Sequence, residues 1–259
     1  MRIDRVELRE VSLGLKAAFA TSFGSVHHRR ILLVRVLADG VEGWGECAAD
    51  HAPDYSAETV DTAWVILEKF AVPLLVKHDL DQPAQVVGRL SGIRGNPMAK
   101  AALEAAAWDL LAKARRMPLW KLLGGVRRSV PTGVSIGLQP SRAELLEAVA
   151  DFLARGYLRI KLKIAPDQDL AVLEAVREGW PHIRLTADAN GAYRLQDAAR
   201  LAEMDAFHLE FLEQPLAFDD LSDHARLAGR IRTPICLDES IRHAADARAA
   251  IESGASAVL

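Results

Sequence analysis

The sequence predicts an α/β protein in which an N-terminal α+β domain is followed by an incomplete TIM-type (β/α) barrel. Strand-like segments fill about the first 50 residues and helical patterns follow them, an order typical of an α+β domain. From about residue 130 onward, strand and helix patterns alternate, which indicates a parallel sheet with crossover helices. We therefore predict two domains, residues 1–125 and residues 126–259.

In the first domain, residues 1–13 partly alternate in polarity, residues 30–37 are rich in β-branched side chains, and residues 41–47 follow a turn at Asp39-Gly40. Helices are predicted over residues 57–75, 82–90 and 97–115. The third of these helical patterns has Pro97 at its start and an Ala-rich body with regularly spaced leucines.

In the second domain, the pattern predicts six strands, of which the last begins near the end of the chain. The predicted strands are residues 130–137, 158–164, 183–190, 208–213, 234–238 and 255–259. The predicted helices are residues 142–155, 169–179, 195–204, 219–229 and 243–253. Lys163, Asp188, Glu213 and Asp238 are spaced 25 residues apart, one at the end of each of four successive strands. Catalytic residues of TIM barrels come from such strand ends.

Composition limits the kinds of partner that we expect. The 259 residues are 50% apolar and carry a net charge of −3, so the chain can bury a core but has no field that attracts nucleic acid or an anionic membrane. Its two cysteines, Cys47 and Cys236, show no metal-type spacing, and no stretch is apolar enough to span a bilayer. We therefore expect a cytoplasmic protein that acts on a small molecule.

Lys161 and Lys163 lie two residues apart on a predicted strand and so point to one face of it. On a solvated edge strand such lysines would simply face water. In the interior of a barrel, two neighbouring ammonium groups would lower each other's pKa and leave one amine able to act as a base. The dipeptide spacing alone leaves both interpretations open.

Asp188, Glu213 and Asp238 each end an apolar run, where a single acid is often a helix N-cap or a turn residue. Three carboxylates at neighbouring strand ends would repel one another unless a cation joined them. Carboxylate oxygens suit a hard divalent ion, so the sequence predicts Mg²⁺, with Mn²⁺ as a substitute.

Lys161-Leu-Lys163, Asp188-Ala-Asn190, Glu213-Gln-Pro215 and Asp238-Glu-Ser240 on four successive strands resemble the muconate-lactonizing subgroup of the enolase superfamily. Within that subgroup, the chain is most similar to o-succinylbenzoate synthases that are also N-succinylamino acid (N-acylamino acid) racemases. Further motifs that match this family are Phe19-Ala-Thr-Ser-Phe-Gly24, Gly43-Trp-Gly-Glu46, Pro53-Asp-Tyr-Ser-Ala-Glu-Thr59, Asn96-Pro-Met-Ala-Lys-Ala101, Trp108-Asp109, Leu122-Leu-Gly-Gly125 and Ser135-Ile-Gly137.

The resemblance implies that Asp188, Glu213 and Asp238 bind the metal, that Lys163 removes a proton α to the substrate carboxylate, and that Lys161 tunes it. The resemblance further implies that Glu239 orients neighbouring groups and that four residues contact the substrate: Asn190, Ser135, Phe19 and Phe23. For Asn190 and Glu239 ordinary helix-start chemistry is the alternative, and for the two phenylalanines it is burial in a core. The family also implies that the N-terminal domain is a cap, with loops 17–28 and 50–55 closing over the barrel.

Proton abstraction would give an enediolate, from which either dehydration or racemisation can follow. The resemblance favours o-succinylbenzoate synthesis in menaquinone biosynthesis, with N-acylamino acid racemisation next, then dipeptide epimerisation or muconate cycloisomerisation. A Schiff-base aldolase would also use a barrel lysine but would not need three carboxylates.

About six of the eight strands of such a barrel are present, so we expect the chain to end just before a second catalytic lysine. An inactive fragment is accordingly the non-enzymatic alternative. We expect the complete protein to form a homo-oligomer.

Overall fold

A computed structural model describes residues 1–21 and 24–258 of the chain. These residues form two compact units, the first comprising Met1–Lys16 and His27–Arg128, the second Ala17–Val26 and the residues from Ser129 onward. Each unit has its own apolar core. No helix among the described residues has the length and apolar character needed to cross a membrane.

A three-stranded sheet and several helices form the N-terminal part of the fold. The strands lie in the order β1-β2-β3, with β1 at Arg5–Thr21, β2 at Gly24–Ala38 and β3 at Val41–Cys47. Strands β2 and β3 pair antiparallel across the turn at Asp39 and Gly40, both of which have positive φ. The predicted strand at residues 41–47 and its turn are thus confirmed. Strands β1 and β2 are both longer than predicted and include the described residues of the segment 17–28, so the prediction of a loop there was wrong.

The helices of this part are α1 at Val60–Ile66, α2 at Gln85–Arg89, α3 at Pro97–Ala114 and α4 at Leu119–Leu122. The single helix predicted over residues 57–75 is instead α1 followed by a π-helical turn, Leu67–Ala71, and a 3₁₀ turn, Val72–Leu74. Pro73 lies in the last turn and has no N–H to continue an α-helical ladder. The prediction of one uninterrupted helix was therefore wrong.

Helix α3 packs against β3 at very short range. Alanines and leucines of α3 are buried, and the glycines of β3 meet the backbone of the helix directly. The start of α3 is capped from a distance, since the buried Glu58 carboxylate accepts hydrogen bonds from the backbone N–H groups of Met98 (2.8 Å) and Ala99 (3.0 Å). This carboxylate takes the place of a local side-chain cap, which Asn96 does not provide.

The second unit contains a parallel five-stranded sheet in the order β4-β5-β6-β7-β8. The strands are β4 at Val134–Ile136, β5 at Arg159–Lys163, β6 at Arg184–Asp188, β7 at Leu212–Glu213 and β8 at Ile235–Cys236. The helices are α5 at Arg142–Ala154, α6 at Asp169–Gly179, α7 at Ala198–Glu203, α8 at Leu221–Ala228 and α9 at Ala244–Glu252. The predicted alternation of parallel strands and helices is confirmed.

Several of these strands are shorter than predicted. His208 has a φ of 48°, which ends the 3₁₀ turn Met204–Phe207, and β7 begins only at Leu212. Val130, in the stretch before β4, is 71% exposed and is followed by Pro131, which cannot donate to a sheet. The sixth predicted strand is represented by one parallel bridge between Cys236 and Val258, and Leu259 lies outside the described residues.

Candidate active site

The polar residues that recur every 25 residues mark one edge of the parallel sheet. Lys163, Asp188 and Glu213 are the last residues of β5, β6 and β7, and the strand register places Lys163 beside Asp188 and Asp188 beside Glu213. Glu213 pairs in turn with Cys236, so Asp238 lies two residues beyond the end of β8. The regular spacing therefore reflects βα units of equal length, and it brings four charged groups to the carboxyl ends of neighbouring strands.

Strand β5 separates its apolar and cationic residues onto opposite faces. Ile160, Leu162 and Ile164 are at most 1% exposed and belong to the core of the unit. The side chain of Lys163 is only 10% exposed and that of Lys161 28%, so neither is a solvated surface lysine. The interpretation of the pair as a solvated edge strand was therefore wrong.

Both lysines bind carboxylates. Lys161 Nζ lies 2.7 Å from Glu213 Oε1 and 3.0 Å from Asp188 Oδ2, so one ammonium group bridges two strand ends. Lys163 Nζ donates to Asp188 Oδ2 at 2.6 Å and to Asn190 Oδ1 at 2.7 Å. The two ammonium groups thus share one oxygen of Asp188.

These contacts determine the direction of the pKa shifts. Burial alone would lower the pKa of Lys161, but the hydrogen bond to Glu213 and the charges of Asp188 and Glu213 raise it above its ordinary value. The prediction that the lysine pair would lower this pKa was therefore wrong, because the carboxylates approach Lys161 closely. Sequence spacing placed these anions at neighbouring strand ends but did not show that Lys161 contacts them.

The two carboxylates shift in opposite directions. Burial would raise the pKa of Asp188, but the charges of Lys163 and Lys161 outweigh burial and lower it. Burial and the neighbouring charge of Asp188 raise the pKa of Glu213, despite the hydrogen bond from Lys161. Of these two carboxylates, Asp188 is therefore the one that stays negatively charged to lower pH.

Asn190 and Glu239 extend this network. The side-chain amide of Asn190 accepts from Lys163 and donates through Nδ2 to Glu239 Oε1 at 2.9 Å. Burial raises the pKa of Glu239 above its ordinary value. Asn190 itself has a left-handed backbone, and its N–H donates to Asp188 Oδ1 at 3.1 Å. A chain of contacts therefore links Lys163 to the residue that follows Asp238.

The three predicted metal ligands are not assembled into one cluster. Asp188 and Glu213 converge on the same ammonium group, and Asp238 lies at the end of the next strand. Among the residues that the structure describes, no three His, Cys, Asp or Glu side chains form a group that could hold a metal ion. The metal-binding role of these residues stays a prediction.

The remaining candidates lie near the first strands of the sheet. Ser135 pairs laterally with Lys161, so both side chains point to the same face. Phe19 is 37% exposed, which shows that its interpretation as a core residue was wrong. The backbone near Phe19 contacts the end of β4, since Leu138 donates to the Ala20 carbonyl at 2.9 Å. Phe23 lies outside the described residues.

Sequence reasoning missed several buried polar residues that support this edge of the sheet. Gln214 forms four side-chain hydrogen bonds, three with the turn after β8 and one with the carbonyl of Leu216. The buried Asp169 carboxylate accepts from the hydroxyl of Tyr193 and from Arg200, which joins the start of α6 to the loop after β6 and to α7. In the sequence, Gln214 directly follows the strand-end acid Glu213 and belongs to the Glu213-Gln-Pro215 motif, whereas Tyr193 lies five residues after Asp188.

Two models of known protein families match the sequence of this chain. Residues 5–124 match the N-terminal domain of mandelate racemase / muconate lactonizing enzyme, and residues 144–259 match the enolase C-terminal domain-like family. The chain belongs to the enolase superfamily. Its N-terminal part is thus the cap-type domain and its C-terminal part the barrel-type domain of that superfamily.

Individual enolase-superfamily relatives match the chain along its length. The o-succinylbenzoate synthase of Geobacillus kaustophilus is 50% identical over 260 residues, which cover 100% of this chain and 69% of the relative. The N-succinylamino acid racemase of Thermus thermophilus is 51% identical over 258 residues, covering 100% of this chain and 70% of the relative. A solved enolase-superfamily structure from Listeria innocua superposes with a TM-score of 0.94 at 39% identity, covering 99% of this chain and 69% of the other.

Proposed function

We propose that this protein removes a proton α to a carboxylate and acts as an o-succinylbenzoate synthase, a carbon–oxygen lyase. The observation that carries this proposal is the intact set of charged strand-end residues in a chain 50% identical to a synthase. N-succinylamino acid racemisation is the second candidate, because a racemase is equally similar, at 51% identity. Both reactions begin with the same proton transfer to a base.

Lys163 is the proposed base. Its ammonium nitrogen is held between Asp188 and Asn190, both of which accept hydrogen bonds from it, so its position at the strand end is fixed. A base must lie within hydrogen-bond reach of the proton that it removes and must be held there against thermal motion. In dehydration the same amine can return its proton to the departing hydroxyl group.

Asp188, Glu213 and Asp238 are the residues that would hold a divalent cation, proposed to be Mg²⁺. The site fits such an ion in its chemistry, because Asp188 and Glu213 already present oxygens within 3.0 Å of a single cationic atom, Lys161 Nζ. When bound, the cation would neutralise the negative charge that develops on the substrate carboxylate.

The proposed site contains five further residues that would contact or orient the substrate or its neighbours: Asn190, Ser135, Glu239, Phe19 and Phe23. Asn190 and Ser135 would contact substrate, and Glu239 would orient Asn190 through their hydrogen bond of 2.9 Å. Phe19, whose side chain is exposed in the segment next to β4, would contact the substrate together with Phe23. Burial of a substrate under this segment would exclude water from the reaction.

We also propose that the five-stranded sheet is part of an eight-stranded barrel whose further strands would add a second lysine. The chain spans 69–70% of the length of its synthase and racemase relatives, which supports this proposal. In racemisation, the second lysine would serve the face of the substrate opposite Lys163.

Two assays run side by side test the proposed function. Two proteins are compared: the chain itself, and a form extended to the full length of its synthase and racemase relatives. Each is assayed for o-succinylbenzoate formation and for racemisation of N-succinylamino acids, with and without Mg²⁺. We expect Mg²⁺-dependent activity in the extended form, with the higher kcat/KM for dehydration. Racemisation without dehydration would transfer the main role to the racemase, and absence of both reactions in the extended form would reject the proposal.

A further inference from the structure

Gln214 lies between a strand-end acid and a proline and is completely buried. It follows Glu213 directly and has a φ of 36°, a left-handed conformation that is rare outside glycine and asparagine. Its backbone N–H donates to the carbonyl of Cys236 at 2.8 Å, and its own carbonyl accepts from Gly191 at 2.7 Å. The backbone of Gln214 therefore already joins the ends of three neighbouring strands.

The side chain of Gln214 uses both ends of its amide. Oε1 accepts from the backbone N–H groups of Asp238 at 3.0 Å and Ser240 at 3.3 Å. Nε2 donates to the carbonyl of Leu216 at 3.1 Å and to the hydroxyl of Ser240 at 2.8 Å. Methionine has a similar length but no donor group, and its thioether is only a weak acceptor, so it cannot replace the amide in these four bonds.

We propose that Gln214 is a positioning residue that fixes the turn Asp238-Glu-Ser240 relative to the end of β7. This inference rests on the proposed function, because it assigns Gln214 a role through the proposed ligand Asp238. By holding the N–H of Asp238, Gln214 fixes the point from which the carboxylate extends. The same turn carries Glu239, which contacts Asn190. Side chains that orient metal ligands typically change metal affinity about 10–100-fold when they are replaced.

The test compares Gln214→Met with the parent chain and with the control Gln196→Met, which changes an exposed glutamine in the turn before α7. Hydrogen exchange of the amides of Asp238 and Ser240 is measured together with the affinity for Mn²⁺. We expect both amides to exchange at least about tenfold faster in Gln214→Met and the Mn²⁺ affinity to fall about 10–100-fold. The control should match the parent in both measurements.

A milder variant covers the possibility that Gln214→Met does not fold. Ser240→Ala removes one partner of Nε2 and leaves the bond from the Asp238 N–H to Oε1 intact, so we expect a smaller change in the same direction. Unchanged exchange of the two amides, or faster exchange with unchanged Mn²⁺ affinity, would overturn the positioning role. Absence of Mn²⁺ binding in the parent would instead count against the proposed metal site, and amide exchange would then still decide whether Gln214 fixes the turn.

Discussion

Among the single residues of the site, Lys163 has the most direct proposed role, as the base. We expect Lys163→Ala to abolish exchange of the substrate α-proton with solvent deuterium on the face that this lysine serves, since a positioned general base typically contributes about 10²–10⁴-fold to the rate. Lys161→Ala should be less severe, because Lys161 bridges Glu213 and Asp188 and is not the proposed base. NMR of the α-hydrogen in D₂O measures the exchange, in the form that shows activity.

Lys121→Ala is the matched control, since Lys121 is an exposed lysine of the short helix α4. It should retain the parent rate, and circular dichroism should show that all three variants are folded. Wash-in of deuterium at the parent rate in Lys163→Ala would show that another group is the base.

The sequence predicted where the charged residues lie but not what they contact. A spacing of 25 residues places Lys163, Asp188 and Glu213 at adjacent strand ends, and the register confirms it. The same spacing contains no information about side-chain distances, so the ion pairs of Lys161 and the raised pKa that follows could not be predicted. Gln214 was missed, although it lies in the Glu213-Gln-Pro215 motif, because a motif does not show which groups a side chain contacts.

Among the secondary-structure elements, the close contact between β3 and α3 leaves no room for a side chain at two glycines of β3. A Cβ placed on Gly43 would lie 2.1 Å from the carbonyl oxygen of Ala106, and one on Gly45 would lie 2.0 Å from that of Ala102. Both obstacles are backbone atoms, which no rotamer change can move. We expect Gly43→Ala and Gly45→Ala each to destabilise the fold by about 3 kcal/mol or more, the upper end for overpacked cores.

Gly88→Ala is the control for this prediction. Gly88 lies within α2 and a Cβ there would meet no atom within 4 Å, so alanine should be neutral or stabilise by about 0.5–1 kcal/mol. Urea unfolding measures the free energy of each variant. Parent-like stability in Gly43→Ala and Gly45→Ala would mean that β3 and α3 do not pack at this distance.

Element types were more predictable than element ends. The helix α6 at Asp169–Gly179 and the strand β3 at Val41–Cys47 have the bounds that their patterns predicted. Strands β4 and β7 start later than predicted, after Pro131 and after the left-handed His208, two features of backbone geometry that the polarity pattern does not reveal. The 3₁₀ turn Val72–Leu74 likewise contains a proline within an otherwise helical pattern.

In the whole molecule, one early segment of the chain does not belong to the N-terminal unit. Ala17–Val26 comes early in the sequence but belongs to the unit that contains the parallel sheet. The Ala20 carbonyl accepts from Leu138, and a Cβ on Gly137 would lie 2.8 Å from the same oxygen, so Gly137 permits this close approach. A boundary drawn along the sequence near residue 125 could not assign this segment.

We propose above that the carboxylates of Asp188, Glu213 and Asp238, at three neighbouring strand ends, bind one divalent cation. Titration calorimetry of Mg²⁺ tests it on Asp188→Asn, Glu213→Gln and Asp238→Asn, with Asp219→Asn, an exposed acid after β7, as the control. We expect one site per chain in the parent and the control, and loss of binding in each of the other three variants without additive effects, because each removes a charged ligand of the same ion. Undiminished Mg²⁺ binding in all three variants would contradict the account.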